Sequence, residues 1–125
     1  MADIMAKVKQ LENEVKALRK LQAEINGHLT QKQQLTTNLN ENKMVIGEID
    51  LLESDATVFK MVGPILARET VDEAKENVKK RMDFINAELK RIDEAIATKE
   101  KTHEAQKERV MALQAALQKM GPRAG

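Results

Sequence analysis

The side chains that could do chemistry are few and scattered. His28 and His103 lie on different halves of the chain, and no group of His, Asp or Glu has the spacing of metal ligands. Cysteine is absent, so the chain can build neither a thiolate nucleophile, nor a disulfide framework, nor a thiol metal site. There is no Ser/His/Asp set for nucleophilic chemistry, and neither a GxxxxGK nor a GxGxxG loop to cradle phosphates. Paired carboxylates such as Glu12/Glu14 and Asp72/Glu73 read as solvated surface and helix-start charge. The expectation is a protein that is not an enzyme and holds no metal or cofactor. The softer chemistry lies with methionine. Met1, Met5, Met111 and Met120 fall toward the chain ends, and flexible, polarisable thioethers suit promiscuous apolar contact, although methionine is equally a plain helix former and Met1 the initiator.

The elements that position these groups read as long helices. Of 125 residues, 42% are apolar and 33% charged, yet Phe59 and Phe84 are the sole aromatics. This is a coiled-coil composition rather than that of a thick globular core. With 21 basic and 20 acidic residues, the chain lacks the cationic surplus that phosphate binding needs, so nucleic acid is not an expected partner. No window approaches the roughly 20 apolar residues of a membrane span. Residues 1–21 carry Lys7, Lys9, Glu12, Glu14 and Lys16 and so do not read as a signal peptide. No membrane is expected.

Heptads fill both arms. In the first, Ile4, Leu11, Leu18, Ile25, Lys32, Leu39 and Ile46 recur every seven residues. Their companion positions are Val8, Val15 and Leu29 early, with Gln22 interrupting. Later they are Leu21, His28, Leu35, Asn42 and Ile49. The seam is therefore expected to drift by one position near residues 27–34, and the polar stretch 28–38 to be its softest part. The helix is expected to run through Gly47 to residue 54. In the second arm, Thr70 and Glu73 form a capping box. Val71, Val78, Ile85, Ile92, Lys99, Gln106, Leu113 and Met120 then interleave with Lys75, Met82, Leu89, Ile96, His103, Val110 and Leu117. Lys99, His103 and Gln106 make a polar gap. Folded back, the arms place that gap opposite residues 16–22, which predicts tips able to flex. Gly121-Pro122 stops the helix before a tail at 121–125. The run Lys79-Lys80-Arg81, with Lys90-Arg91, reads as ion-pair surface among Glu76, Asp83, Glu88 and Asp93.

Between the arms, residues 57–70 read TVFKMVGPILARET. Alternating β-branched and apolar residues around Gly63-Pro64 predict a β-hairpin over 55–69, the alternative being an apolar loop over 57–67 that caps the helical hairpin. A lone hairpin is marginal in water and its open apolar edges invite association. The expected solution is pairing with other subunits. The fold class is thus mostly α: one domain, residues 1–125, forming a long antiparallel coiled-coil helical hairpin with one central β-hairpin.

Three stretches carry a family resemblance: ENKMVIGEIDLLE (41–53), VFKMVGPILARE (58–69) and AKENVKKRMDFINAELKRID (74–93). They resemble the β class of prefoldin subunits, which has one hairpin between its helices, and within it the eukaryotic subunit-six branch. The chain departs in lacking a tyrosine near Met82-Asp83-Phe84. The resemblance implies a hetero-hexamer of two α-type and four β-type subunits whose hairpins join an inter-subunit β-barrel. It implies cytoplasmic, ATP-independent capture of unfolded clients of the actin and tubulin type between coiled-coil tips, and transfer to a cytosolic chaperonin. On that reading Val58, Phe59, Met61, Val62, Ile65 and Leu66 carry oligomerisation. Ile4, Met5, Val8, Leu11, Val110, Leu113, Leu117 and Met120 carry client binding. A coiled-coil scaffold or adaptor without chaperone activity is the alternative, and an RNA-contacting helical arm a third. A plain coiled coil, however, has no use for TVFKMVGPIL.

Overall fold

A computed structural model describes residues 2–120. It orders them as helix α1 (Ala2–Asp50), strand β1 (Thr57–Val62), strand β2 (Ile65–Thr70) and helix α2 (Val71–Met120). The expected helix stop at Gly121-Pro122 and the tail lie outside the described residues. The chain divides into two compact units, Gln31–Ile92 and Met1–Thr30 with Asp93–Gly125.

In the Gln31–Ile92 unit, Ile49 of α1 is buried with Val71, Ala74 and Val78 of α2, and Ile46, Ala56, Val58 and Met82 pack against them. This cluster explains why α1 stops at Asp50 rather than at residue 54. Ile49 is its last anchored residue, whereas Leu51 and Leu52 are exposed and gain nothing by prolonging the helix. The end is tightened by three-residue turns: Leu51 N donates to Glu48 O at 3.2 Å and Leu52 N to Ile49 O at 3.0 Å, which satisfies carbonyls otherwise left open. Lys75 of α2 pairs with Asp50 at 3.1 Å.

The hairpin pairs antiparallel from Thr57↔Thr70 to Val62↔Ile65, leaving Gly63-Pro64 as a two-residue turn. Gly63 has φ +60°, the left-handed region that a side chain disfavours. A positive-φ glycine followed by a proline ring held near about −65° is the φ pattern of a type II′ turn, the kind that matches strand twist. Thr70 ends β2 and caps α2. Its Oγ1 accepts from Glu73 N at 3.1 Å, while the Glu73 carboxylate accepts from Thr70 N at 3.4 Å. The capping box read from the sequence is therefore made.

In the unit formed by Met1–Thr30 and Asp93–Gly125, the two helices share a narrower seam. Ile25, Ile96 and Val110 are buried, with Leu11, Leu18 and Leu113 half-buried. The expected drift of the seam does not occur. In this unit the inward companion positions on α1 are Lys7, Glu14, Leu21 and His28, and of the expected set Val15 is half-buried while Val8 and Leu29 stay exposed. Glu14 can hold a seam position because Gln106 meets it there. Through the stretch expected to be soft, α1 is unbroken. Thr30, Thr36 and Thr37 donate their hydroxyls to the carbonyls of Asn26, Lys32 and Gln33 at 3.1, 2.9 and 3.1 Å. The expected ion pairs form only in part. Arg91 pairs with Glu88 at 2.9 Å, but among the described residues Lys79, Lys80 and Arg81 have no acidic partner within 4.0 Å.

Candidate functional site

Apolar groups without a packing role stand exposed on the hairpin and at the chain ends. Register places Val58, Lys60, Ala67 and Glu69 on one face, where all four are half-buried toward the helices. Asn77 of α2 fixes that face by donating to the Glu69 carboxylate at 2.9 Å. The opposite face carries Phe59, Met61 and Leu66, exposed at 57%, 66% and 62%. Val62 and Ile65 at the turn are exposed as well. Because a two-residue turn is closed by a hydrogen-bonded pair, Val62/Ile65, Lys60/Ala67 and Val58/Glu69 bond across the ladder. The intervening Phe59, Met61, Leu66 and Arg68 direct their N–H and C=O groups outward. The sheet has two strands, so both edges are open in the described chain. Beside β1 a groove is lined by Val45, Ile49, Val58, Phe59, Met61 and Val78, among others. Of the six residues assigned to oligomerisation, five are thus exposed on the hairpin, and Val58 packs inward on the helix core.

Met44, Val45 and Leu51, outside the assigned set, lie near the hairpin in sequence and are exposed. Their signal lay in MVIGEIDLL, where apolar residues occupy more positions than one helical stripe can bury.

The second surface is at the chain ends. The eight residues assigned to client binding divide into two groups. Met5, Val8 and Met120 are exposed. Ile4, Leu11, Leu113 and Leu117 are half-buried and Val110 is buried, so these five serve the seam. Ile4, Met5, Val8, Lys9 and Glu12 line one shallow groove along α1. Met111, outside the assigned set, is exposed at 57%.

The polar gap is not empty of interactions. Lys99 Nζ donates to the Glu24 carboxylate at 2.5 Å. That hydrogen bond and the Lys99 charge hold the Glu24 carboxyl below its ordinary value, with smaller help from Lys20 and His28 against a burial effect of opposite sign. Among the described residues no cluster of three His, Asp or Glu could hold a metal ion, and no helix is long and apolar enough to cross a membrane.

An antiparallel hairpin carried between two long helices, with apolar groups on its outer face, can be compared with known proteins. A family model described as "Prefoldin subunit" matches residues 12–117. The chain belongs to the prefoldin subunit family. It is 40% identical over 110 residues to prefoldin subunit 6 of Arabidopsis thaliana, covering 88% of this chain and 85% of that relative. It is 34% identical over 119 residues to prefoldin subunit 6 of Homo sapiens, covering 95% and 91%. Among solved structures it is similar to the prefoldin beta subunit from Thermococcus strain KS-1. The TM-score is 0.62 at 25% identity, and the match covers 90% of this chain and 95% of that one. The single hairpin between two helices is the β-subunit arrangement expected from the sequence. Prefoldin membership makes the chain a non-enzymatic chaperone component that assembles with other prefoldin subunits.

Proposed function

We propose that this chain is a β-type subunit of a cytoplasmic prefoldin hetero-hexamer of two α-type and four β-type subunits. The assembly captures unfolded proteins without ATP and passes them to a cytosolic chaperonin, with clients of the actin and tubulin type. The observation that carries the reading is the hairpin: Phe59, Met61, Val62, Ile65 and Leu66 stand exposed on a two-stranded sheet whose edges are both open. Exposed apolar strands with free edges are an aggregation liability unless another strand covers them. Strands from neighbouring subunits completing a β-barrel would bury these side chains and pair the outward N–H and C=O groups, with Val58 anchoring the hairpin from beneath.

Client capture is assigned to the apolar groups at the chain ends: Met5, Val8 and Met120 directly, and Ile4, Leu11, Val110, Leu113 and Leu117 where the seam opens. Each contact is weak. Several arms holding one unfolded chain add through high effective concentration.

The experiment is a pair of variants within the co-expressed complex. Phe59→Asp with Val62→Asp should dissociate this subunit from the assembly in light scattering while helicity stays high. An unchanged mass rules out the hairpin as the assembly element. Removal of residues 1–8 and 113–125 should leave the assembly intact and abolish suppression of aggregation of an unfolded test protein. Retained protection places the client site elsewhere.

A further inference from the structure

One surface of the Gln31–Ile92 unit has no part in the hairpin or in the seam. It is a groove between α1 and α2, with Asn38, Glu41 and Asn42 on one wall and Lys80, Arg81 and Phe84 on the other. Ile85 at its base is buried in the seam, whereas Phe84 beside it is 66% exposed. Phe84 and Phe59 are the chain's two aromatic residues, and the coiled-coil packing employs neither. Lys80 and Arg81 precede Phe84 by four and three residues, so all three share one helical face.

The two cations are uncommitted among the described residues: no carboxylate lies within 4.0 Å of either. Glu88, one turn beyond Phe84, pairs with Arg91 instead. Glu41 is the one carboxylate among the residues lining the groove. Asn42 Nδ2 is occupied by the Asn38 carbonyl at 2.7 Å, which leaves its side-chain oxygen as an acceptor. The groove thus offers an exposed aromatic flanked by two free positive charges against one negative.

We propose that this groove docks an acidic amphipathic helix of a partner protein. The apolar ridge of that helix packs on Phe84, and its carboxylates meet Lys80 and Arg81. A helix fits better than a strand for two reasons. Backbone N–H and C=O groups of both walls are consumed within α1 and α2, so no edge is offered for strand addition. The walls are helical ridges, and a third ridge seats between two such ridges. Charge selects the acidic partner. Single-stranded RNA, the other ligand that a phenylalanine beside Lys and Arg can take, is disfavoured by Glu41 in the groove and by a chain charge of only +1. The site uses none of the residues assigned to assembly or client capture.

The test uses the assembled complex carrying this chain. The probe is a fluorescent synthetic helix with a leucine stripe flanked by glutamates, and a companion has lysines for the glutamates. The glutamate probe should bind about tenfold tighter than the lysine probe, and Phe84→Ala should weaken it by about tenfold, as loss of an aromatic anchor does. Lys80→Glu with Arg81→Glu should invert the preference between probes, and Glu41→Lys, which removes no contact from the fold, should tighten the glutamate probe. Light scattering and helicity should be unchanged in all of these. Equal binding of the two probes, indifference to both Phe84→Ala and Glu41→Lys, or stronger binding of an oligouridylate overturns the proposal.

Discussion

Gln106, only 8% exposed, donates its side-chain amide across the seam to the backbone oxygen of Glu14 at 2.9 Å and also to the Glu14 carboxylate. It stands at a heptad position where the sequence pattern asks for an apolar residue, and it is the one buried polar side chain of the described residues. A lone polar pair in a coiled-coil seam fixes register at a cost in stability.

Gln106→Leu should therefore stabilise the unit formed by the chain ends, by about 1 kcal/mol, because an apolar side chain of similar size replaces a buried amide. The backbone oxygen of Glu14 keeps its helical partner and its carboxylate keeps access to solvent, so no group is stranded. Hydrogen exchange of the amides in residues 1–30 and 93–120 measures the gain. Cysteine pairs placed across the seam should at the same time cross-link in more than one register.

The glycines should respond in opposite directions. A Cβ at Gly27 or Gly47 meets nothing within 4 Å, so Gly27→Ala and Gly47→Ala should each raise stability by roughly 0.5–1 kcal/mol through helix propensity. A Cβ at Gly63 also has open space, but the φ of +60° strains any side chain, and Gly63→Ala should cost about 1–3 kcal/mol. Denaturant unfolding followed by circular dichroism separates the two outcomes.

Glu24 gives a pH signature. Its folded pKa lies below the ordinary value of 4.5 because Lys99 donates to the carboxylate. A depressed carboxylate contributes stability that is fully present above its unfolded pKa and is lost as pH falls through the folded one. Wild type should thus exceed Glu24→Gln in stability at neutral pH, and the difference should shrink as the solution is acidified below about 4.5. The pair of melting curves against pH checks this, and a difference that stays constant into acid excludes the Lys99 interaction as its source.

The tip residues should separate by exposure. Met5→Asp with Val8→Asp alters exposed side chains and should reduce protection of an unfolded test protein with melting unchanged. Val110→Asp places a charge in the buried seam and should lower melting strongly, by several kcal/mol. If Met5→Asp with Val8→Asp protects as well as wild type, direct capture at the exposed groove is excluded.

Much of this architecture was written in local pattern. The β-hairpin over residues 57–70 was readable because alternation and a Gly-Pro break are properties of neighbouring residues. The Thr70–Glu73 capping box was readable because its partners lie three residues apart. Helix α2 was readable because its heptads stay in phase. The end of α1 is not legible in the sequence because Leu51 and Leu52 look like continuing heptad residues, and only the position of Ile49 against Val71, Ala74 and Val78 shows that the packed face has run out. The expected drift of the seam rests on Val8, Val15 and Leu29 facing inward, and Val8 and Leu29 instead stand exposed because hydrophobicity alone does not say which way a residue faces.

The sequence by itself determined the elements, their order and the family, since each depends on local spacing or on matched residues. The tertiary structure decided which apolar residues are spent on packing and which stand free. Val110 and Leu117 carry the same heptad signature as a client-binding side chain would, yet they serve the seam, whereas Met5, Phe59 and Phe84 do not. Hydrophobicity is a property of a residue, but exposure depends on what the facing helix places opposite it. The facing residue can be far away in sequence, as Gln106 is from Glu14.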